Sequence, residues 1–335
     1  MTKCPNFWHR IVNLFPMVLI ALPLSLLTAC QEEDPTASQG EDLTASQEEE
    51  PSSDDLELQD DPLPGSSVQI QSTAFTVQPG EEREVCEVIM LPTETDIQVT
   101  RFQMETGAGT HHLLLMLVED ADVEASIFDC QQGQMVPGYQ PIIGTASSEE
   151  DILLPDGVMM KLKAHQTLLV DHHVINPTST PMQVQSRVQL TVAPPDVEMI
   201  PSGIMFVNNW RFYLEPQSTT TTTTVCTLDR TLHLSYLVPH VHELATELSM
   251  SYQPPGDAPS QLVLERSGYQ DLDSLDLTRA PLQAEKDGAL SLTCSWFNGT
   301  DAPILYPEEM CMVGILVYPS ETAFYCDGTG MYDGS

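Results

Sequence analysis

Short strand-like segments recur from residue 68 almost to the end of this 335-residue chain, and they constrain its fold more than any other feature. Some segments alternate apolar and polar residues and others are continuously apolar, with Gly, Pro, Asn and Asp between them. Convincing helical periodicity is hard to find. This pattern is typical of sandwiches and jelly rolls. We therefore predict an all-β protein.

The segment Pro194-Pro195-Asp196 divides the strand-like segments into two groups of similar size. A chain of this length commonly forms two domains. We therefore expect two tandem antiparallel β-sandwich (jelly-roll) domains, over residues 67–195 and 196–335. A threonine run at residues 219–224 is expected to be a solvated loop of the second domain.

The N-terminal residues have the features of a processing signal. A positively charged start precedes a largely apolar stretch at residues 11–27, and the segment from Leu27 to Cys30 looks like a bacterial lipobox. We predict a signal peptide over residues 1–29 and lipidation of Cys30. A transmembrane helix is the alternative, but the apolar run is short and two prolines interrupt it. By resemblance to lipoprotein sorting rules, Gln31 favours the outer membrane, so the expected location is the bacterial cell envelope.

Residues 30–66 are predicted to be a disordered acidic linker. They contain no Lys or Arg and almost no large apolar residues, so they cannot bury enough surface to offset the entropy of ordering. A specific calcium or partner role is the alternative. The whole chain has a formal charge of -37, and nothing in it could neutralise phosphates, which excludes nucleic acid as an expected partner.

The cysteines indicate an oxidising compartment. Of the eight cysteines, Cys4 leaves with the signal and Cys30 carries lipid, so six remain. An even number in such a compartment predicts three disulfides. Two of the six precede residue 200 and four follow it, so pairing within each half needs no crosslink between halves. A zinc ribbon is not favoured, because the sequence has no CxxC pair.

Three histidine pairs could bind a metal. His240 and His242 lie two apart on a predicted strand, so their side chains share a face. The neighbours His111 and His112 can share one metal only if the strand begins or kinks there; otherwise one is buried and one exposed. The third pair is His172 and His173, of which alternation allows only one to face a metal.

Met310 favours copper over other metals. A thioether suits Cu(I) and is a poor ligand for zinc, calcium or magnesium. Methionine also fills gaps in cores, and Met312 would share the same face, so composition does not choose between the two. The carboxylates of Asp171, Glu308 and Glu309 are expected to be solvated or to support the ligands.

Together these segments resemble the copper type II, ascorbate-dependent monooxygenases, a family that includes peptidylglycine α-hydroxylating monooxygenase and dopamine β-monooxygenase. The resemblance covers most of residues 68–328 and rests on the order, spacing and strand context of four motifs. The motifs are Thr110-His111-His112-Leu113-Leu114, His173-Val174-Ile175-Asn176-Pro177, His240-Val241-His242 and Glu309-Met310-Cys311.

The resemblance implies two coppers per chain, facing each other across an open, water-filled cleft. An electron-relay copper would lie in the first domain and an oxygen-activating copper, the catalytic one, in the second. The implied ligands are His111, His112 and His173 for the first copper, and His240, His242 and Met310 for the second. The implied disulfides are Cys86–Cys130, Cys226–Cys326 and Cys294–Cys311.

The implied activity is hydroxylation of a C–H bond with O2 and ascorbate or a similar reductant. Where the peptide-amidating enzyme grips a substrate carboxylate, this chain has Val238 and Gly314. We therefore expect an uncharged or apolar small-molecule substrate rather than peptidylglycine. The main alternative is a non-catalytic copper-binding surface lipoprotein for storage or delivery, and a surface module that binds no metal is the third possibility.

Overall fold

A computed structural model describes residues 66–118, 126–130, 139–145, 147–269 and 272–333, all within one compact unit. The predicted signal peptide, Cys30 and residues 30–65 of the linker lie outside the described residues. Every regular element in the described ranges is a β-strand, which confirms the all-β prediction. Within those ranges, no helix is long and apolar enough to cross a bilayer.

The first half of the described chain is a β-sandwich of the jelly-roll type. One sheet has the order β1-β12-β4-β9-β13, with β8 beside β4, and the facing sheet has the order β6-β3-β10-β5-β7. Phe102 and Leu190 of one sheet share a core with Leu115 and Val170 of the other. The small pair β2 and β11 completes this half. The strands are β1 Ser66–Gln71, β2 Phe75–Val77, β3 Glu82–Met90, β4 Ile97–Glu105, β5 Thr110–Val118, β6 Ile127–Asp129, β7 Tyr139–Thr145, β8 Glu149–Leu153, β9 Val158–Leu162, β10 Thr167–Ile175, β11 Met182–Val184, β12 Arg187–Ala193 and β13 Ile200–Pro201.

The second half is a second sandwich. Its strands are β14 Gly203–Asn208, β15 Ser218–Thr227, β16 Leu232–Val241, β17 Ala245–Gln253, β18 Gln261–Ser267, β19 Leu275–Asp276, β20 Leu282–Ala284, β21 Ala289–Asn298, β22 Cys311–Tyr318, β23 Phe324–Cys326 and β24 Met331–Asp333. One sheet has the order β19-β16-β22-β14-β23-β24, with β20 beside β16, and the other the order β15-β21-β17-β18. Val207 and Val313 of the first sheet pack with Leu248 and Trp296 of the second.

The threonine run at residues 219–224 is not a loop. It forms most of β15, which pairs along its whole length with β21. Branched Cβ atoms fit the pleated surface of a strand, and the hydroxyls form cross-strand hydrogen bonds. Thr221 bonds Ser295 and Thr223 bonds Thr293, each at 2.8 Å between oxygens. The expected solvated loop is therefore wrong, because the polarity of threonine concealed its preference for strands.

The structure contains the three disulfides that the family resemblance implies. Their Cα–Cα distances are 5.6 Å for Cys86–Cys130, 5.8 Å for Cys226–Cys326 and 6.0 Å for Cys294–Cys311, all ordinary for a disulfide. The third bridge ties the middle of β21 to the first residue of β22. It therefore anchors the segment that carries Met310.

The two halves are joined by apolar packing in addition to the separate core of the second sandwich. Phe206, Tyr236 and Met312 of the second half pack into the core of the first sandwich. The hydroxyl of Tyr236 also donates a hydrogen bond to Oε1 of Glu150 across the two halves, at 2.7 Å. The β16-β22-β14 face that carries His240 is therefore held against the half that carries His111, His112 and His173.

Candidate metal centre

A β-bulge at the start of β5 brings His111 and His112 to one side. On β10, His173 pairs with His112 but Val174 pairs with Thr110, so His111 is the extra residue. A bulge re-aims the side chains beside it. The preceding turn needs glycine, since Gly109 has a φ of +74° and a Cβ there would lie 2.6 Å from the carbonyl oxygen of Ile175. The strand therefore has the kink that a shared metal requires.

The bulge completes a group of three histidines. One ring nitrogen from each of His111, His112 and His173 lies within 4.8 Å of the others. The ring centroids are 5.0 Å apart for His112–His173 and 5.1 Å for His111–His173. Nitrogens that bind one metal at about 2.0 Å stand roughly 3.3 Å apart, so small rotations of the rings would bring these three nitrogens to the spacing that one ion needs.

Glu82 orients the third of these histidines. Nε2 of His173 lies 2.8 Å from Oε1 of Glu82. A hydrogen bond from this nitrogen leaves the lone pair on Nδ1 and fixes the orientation of the ring. Glu82 stands at the start of β3, opposite the end of β10, and no motif in the sequence singled it out.

His172 points away from the group, as strand alternation requires. It is 1% exposed and lies in edge contact with the ring of Phe75, with centroids 5.7 Å apart. Burial lowers its pKa to about 4, so it is neutral at neutral pH. Of the two neighbouring histidines on β10, the structure thus brings only His173 to the candidate site.

The second histidine pair converges at the end of β16. The Nε2 atoms of His240 and His242 lie 3.3 Å apart, the spacing of two nitrogens bound to one metal at about 2.0 Å. Nδ1 of His242 lies 2.9 Å from the carbonyl oxygen of Glu308. Because a carbonyl only accepts, Nδ1 carries the proton and Nε2 keeps its lone pair for a metal.

The buried carboxylate of Glu309 fixes the backbone around this pair. Its oxygens accept hydrogen bonds from the amides of Leu244 at 2.8 Å and His242 at 3.3 Å, and from Nε1 of Trp296 at 3.0 Å. Burial raises the pKa of Glu309, and the bond from Leu244 opposes that shift. Glu309 thus supports the site rather than being solvated.

Met310 immediately precedes β22, and extension of the strand register puts it opposite His242. Met312 pairs with His240 and Cys311 with Val241, so the antiparallel register continues to Met310 opposite His242. Side chains two apart share a face, which puts both methionines on the face of His240. Met310 is 4% exposed and Met312 is 8% exposed, so burial does not separate them either.

The two histidine groups meet and form one cluster of five. The rings of His112 and His240 are in edge contact, with centroids 6.5 Å apart. That distance leaves no room for a water-filled cleft between these two rings, which differs from the open arrangement that the resemblance implies. The apolar packing between the two halves explains the difference, because it holds the face with His240 against the first half.

Burial lowers the pKa of three of the clustered imidazoles, those of His111, His112 and His240. It lowers the pKa of His112 well below the usual value, and the proximity of His240 lowers it further. It lowers the pKa of His240 to about 3, with a smaller contribution from His242. Neutral imidazole is the form that binds a metal. Five imidazoles, with a methionine at the register position opposite His242, are a borderline-to-soft donor set, which fits copper better than calcium or magnesium.

Two buried carboxyl groups, those of Glu84 and Asp171, lie close to His112. Oxygens of Glu84 and Asp171 lie within 4.8 Å of a His112 nitrogen. Burial and then the charge of Glu84 raise the pKa of Asp171 to about 8, so Asp171 is protonated at neutral pH. Asp171 also lies near Cys86 and Cys130, but these sulfurs form a disulfide and are not thiolate ligands.

Comparison with known proteins identifies no family for this chain. No family model matches it, and no curated protein matches it either. The major capsid protein P2 of bacteriophage PM2 is similar at 10% identity and a TM-score of 0.32, over 75% of this chain and 95% of that one. A triple jelly roll protein of an archaeal virus is similar at 8% identity and a TM-score of 0.21, over 76% and 59%. The Macrobrachium rosenbergii nodavirus structure is similar at 11% identity and a TM-score of 0.18, over 82% and 97%.

Proposed function

We propose that this protein is a copper-dependent monooxygenase that hydroxylates a C–H bond with O2 and ascorbate or a similar reductant. The observation that carries the proposal is the convergence of five histidines from both halves on one cluster. His111, His112 and His173 would hold one copper. His240, His242 and Met310 would hold the other.

The two donor sets match the electron count of this reaction. Inserting one atom of O2 into a C–H bond and reducing the other to water requires two electrons and two protons. Bound copper would supply one-electron redox chemistry at each of two sites. The contact between His112 and His240 connects the two donor sets directly.

Hydrogen bonds from residues around the cluster orient the histidine side chains that would bind copper. Glu82 orients the ring of His173, and the carbonyl of Glu308 keeps the proton of His242 on Nδ1. Glu309 fixes the backbone on both sides of His242. Such supporting hydrogen bonds set ligand orientation and basicity.

We further propose that the chain is a lipoprotein, anchored through Cys30 in the bacterial cell envelope. The oxidising compartment that this requires is consistent with three disulfides. The acidic segment before residue 67 would hold the folded part away from the lipid.

Oxygen uptake by the copper-loaded full chain tests the proposal. With ascorbate and a panel of neutral apolar compounds, we expect uptake that depends on one of the compounds and yields a hydroxylated product. The electrode trace and mass spectrometry of the product measure this. Two bound coppers without turnover across the panel would contradict the proposal and favour a copper storage or delivery protein.

A further inference from the structure

Glu84, Asp171 and His112 form a second group of donors beside the three histidines of the first half. One oxygen of each carboxyl and one ring nitrogen of His112 lie within 4.8 Å of one another. Donors at about 2.1 Å from one octahedral ion stand about 3 Å apart when adjacent and about 4 Å apart when opposite. Small rotations of the three side chains would therefore let one cation contact all three atoms.

The sheet register puts these three side chains on one face. Glu84 pairs with His173, and His173 pairs with His112, so the three residues form one row across β3, β10 and β5. Asp171 lies two residues before His173 on β10 and shares its face. Three neighbouring strands thus supply the three donors, and donors on strands are held more precisely than donors on loops.

The two carboxyl groups are buried together. Glu84 is 8% exposed and Asp171 is 6% exposed, and a hydrogen bond joins their side chains. Burial of two neighbouring carboxylates is unfavourable unless protons or a cation offset their charge. A proton joins the two groups in the metal-free chain, and a metal ion that binds them would displace it.

The surrounding strands offer no side-chain cation for this role. Arg83 is the only Lys or Arg in β3, β5 and β10. It is adjacent to Glu84 in β3, so it lies on the opposite face. There its guanidinium donates to the carboxylate of Asp129 and, at 3.0 Å, to the carbonyl oxygen of Thr76. The face with the carboxyl groups therefore carries no positive side chain from these strands.

We propose that Glu84, Asp171 and His112 bind a first-row divalent cation that is harder than copper, such as Mn(II). Carboxylate oxygens suit Mn(II), whereas soft ligands select Cu(I). The imidazole nitrogen argues against calcium and magnesium, which take oxygen ligands. The site adjoins the first copper group through His112. Its occupation requires neither oxygen nor a reductant, so the proposal is independent of the monooxygenase function.

The exposure of the neighbouring side chains gives an ion a way in. His111 is exposed and His112 is half-buried, whereas Glu84 and Asp171 are buried. Exposure thus decreases from the imidazoles to the carboxyls. An ion from solvent would reach the carboxyl groups from the side of His111.

Mn(II) binding to the copper-free full chain tests the proposal. Electron paramagnetic resonance at about pH 8, where protons compete less for carboxylates, measures free and bound Mn(II). We expect one tightly bound ion per chain, beyond those that the charge of -37 attracts weakly. Glu84→Gln and Asp171→Asn should each weaken it by at least about a hundredfold, since even supporting residues of a metal site are worth about 10- to 100-fold.

Two control variants separate this site from other acidic residues and from the three histidines. Glu87→Gln removes a carboxylate from the opposite face of β3, where Glu87 bonds Thr73. His111→Ala removes a donor of the three-histidine group and none of the proposed site. Both variants should bind Mn(II) as the wild type does.

A measurement on the wild-type chain keeps the proposal testable if the carboxyl variants do not fold. Electron spin echo modulation of the bound Mn(II) should show coupling to one imidazole nitrogen, that of His112. The proposal is overturned if no Mn(II) binds tightly, if several imidazoles couple to it, or if His111→Ala abolishes binding. Unchanged binding in folded Glu84→Gln or Asp171→Asn would overturn it as well. Oxygen uptake plays no part in these readouts, so failure of the monooxygenase would leave them unaffected.

Discussion

At the scale of single residues, strand alternation decides which histidine can bind a metal. His172 and His173 are chemically identical neighbours with different surroundings. His172 is in edge contact with Phe75, whereas the ring centroid of His173 lies 5.0 Å from that of His112. A shift of one residue in β10 would exchange them. The functional difference between the two is therefore a difference of register.

Alanine substitution of each neighbour tests this difference. We expect His173→Ala to reduce bound copper from two ions per chain to one, because it removes a donor of the first group. His172→Ala should keep both ions and lower the stability by about 2 kcal/mol through the cavity that it leaves. Metal analysis after dialysis measures the first effect and urea unfolding the second; equal copper loss in both variants would contradict the assignment.

The two buried methionines allow a similar test. We expect Met310→Ala to abolish turnover while the copper of the first group is retained, since it removes the thioether at the register position opposite His242. Met312→Ala should retain turnover and lose about 2–4 kcal/mol of stability, as a large-to-small core change does. Loss of activity in Met312→Ala alone would show that the alignment of this segment is shifted by two residues.

At the scale of elements, the bulge at His111 depends on the turn before it. Gly109→Ala should lower the stability by about 2–3 kcal/mol, because it combines a left-handed conformation with a close approach to Ile175. Gly80→Ala is the matched control, with a φ of +71° and no atom within 4 Å of the added carbon, and should cost only about 1 kcal/mol. Urea unfolding of the copper-free chain compares them, and equal costs would contradict this account of the turn.

The sequence predicts the strands that carry the candidate site better than it predicts the contacts between the residues of the site. Alternation and turn residues suffice to predict strands and a shared face for His240 and His242. The prediction of a loop for the threonine run is wrong because threonine is polar, like many loop residues, but is also β-branched, which favours a strand. Contacts such as Glu82 with His173 or His112 with His240 join residues 91 and 128 positions apart, and no local pattern encodes such distances.

At the scale of the whole molecule, buried titratable groups make stability depend on pH. The folded state lowers the pKa of four histidines, to about 4 for His172 and about 3 for His240. As pH falls below about 6.5, the unfolded chain binds protons that the folded chain does not, so stability is lost. Asp171 acts in the opposite sense, since its folded pKa of about 8 means that stability is lost as pH rises towards that value.

Stability of the copper-free chain should therefore be greatest near pH 6.5. Between about pH 4.5 and 6.5 the four histidines outweigh the two carboxyls with raised pKa, Asp171 and Glu309, so the unfolding free energy should fall with acidification. His172→Leu should reduce that slope by about 1.4 kcal/mol per pH unit, the contribution of one proton. Urea unfolding at a series of pH values measures it, and a flat profile below pH 6.5 would contradict the neutral cluster.

The central claim is that the five histidines and Met310 form two copper sites, and Cu(I) X-ray absorption on the full chain tests it most directly. We expect two coppers per chain, both with nitrogen ligands. Only one of the two should have a sulfur ligand, so the spectrum should show on average half a sulfur per copper. The sulfur signal should disappear in Met310→Ala and remain in Met312→Ala. Fewer than two coppers in the wild-type chain, or a spectrum without sulfur, would contradict the claim.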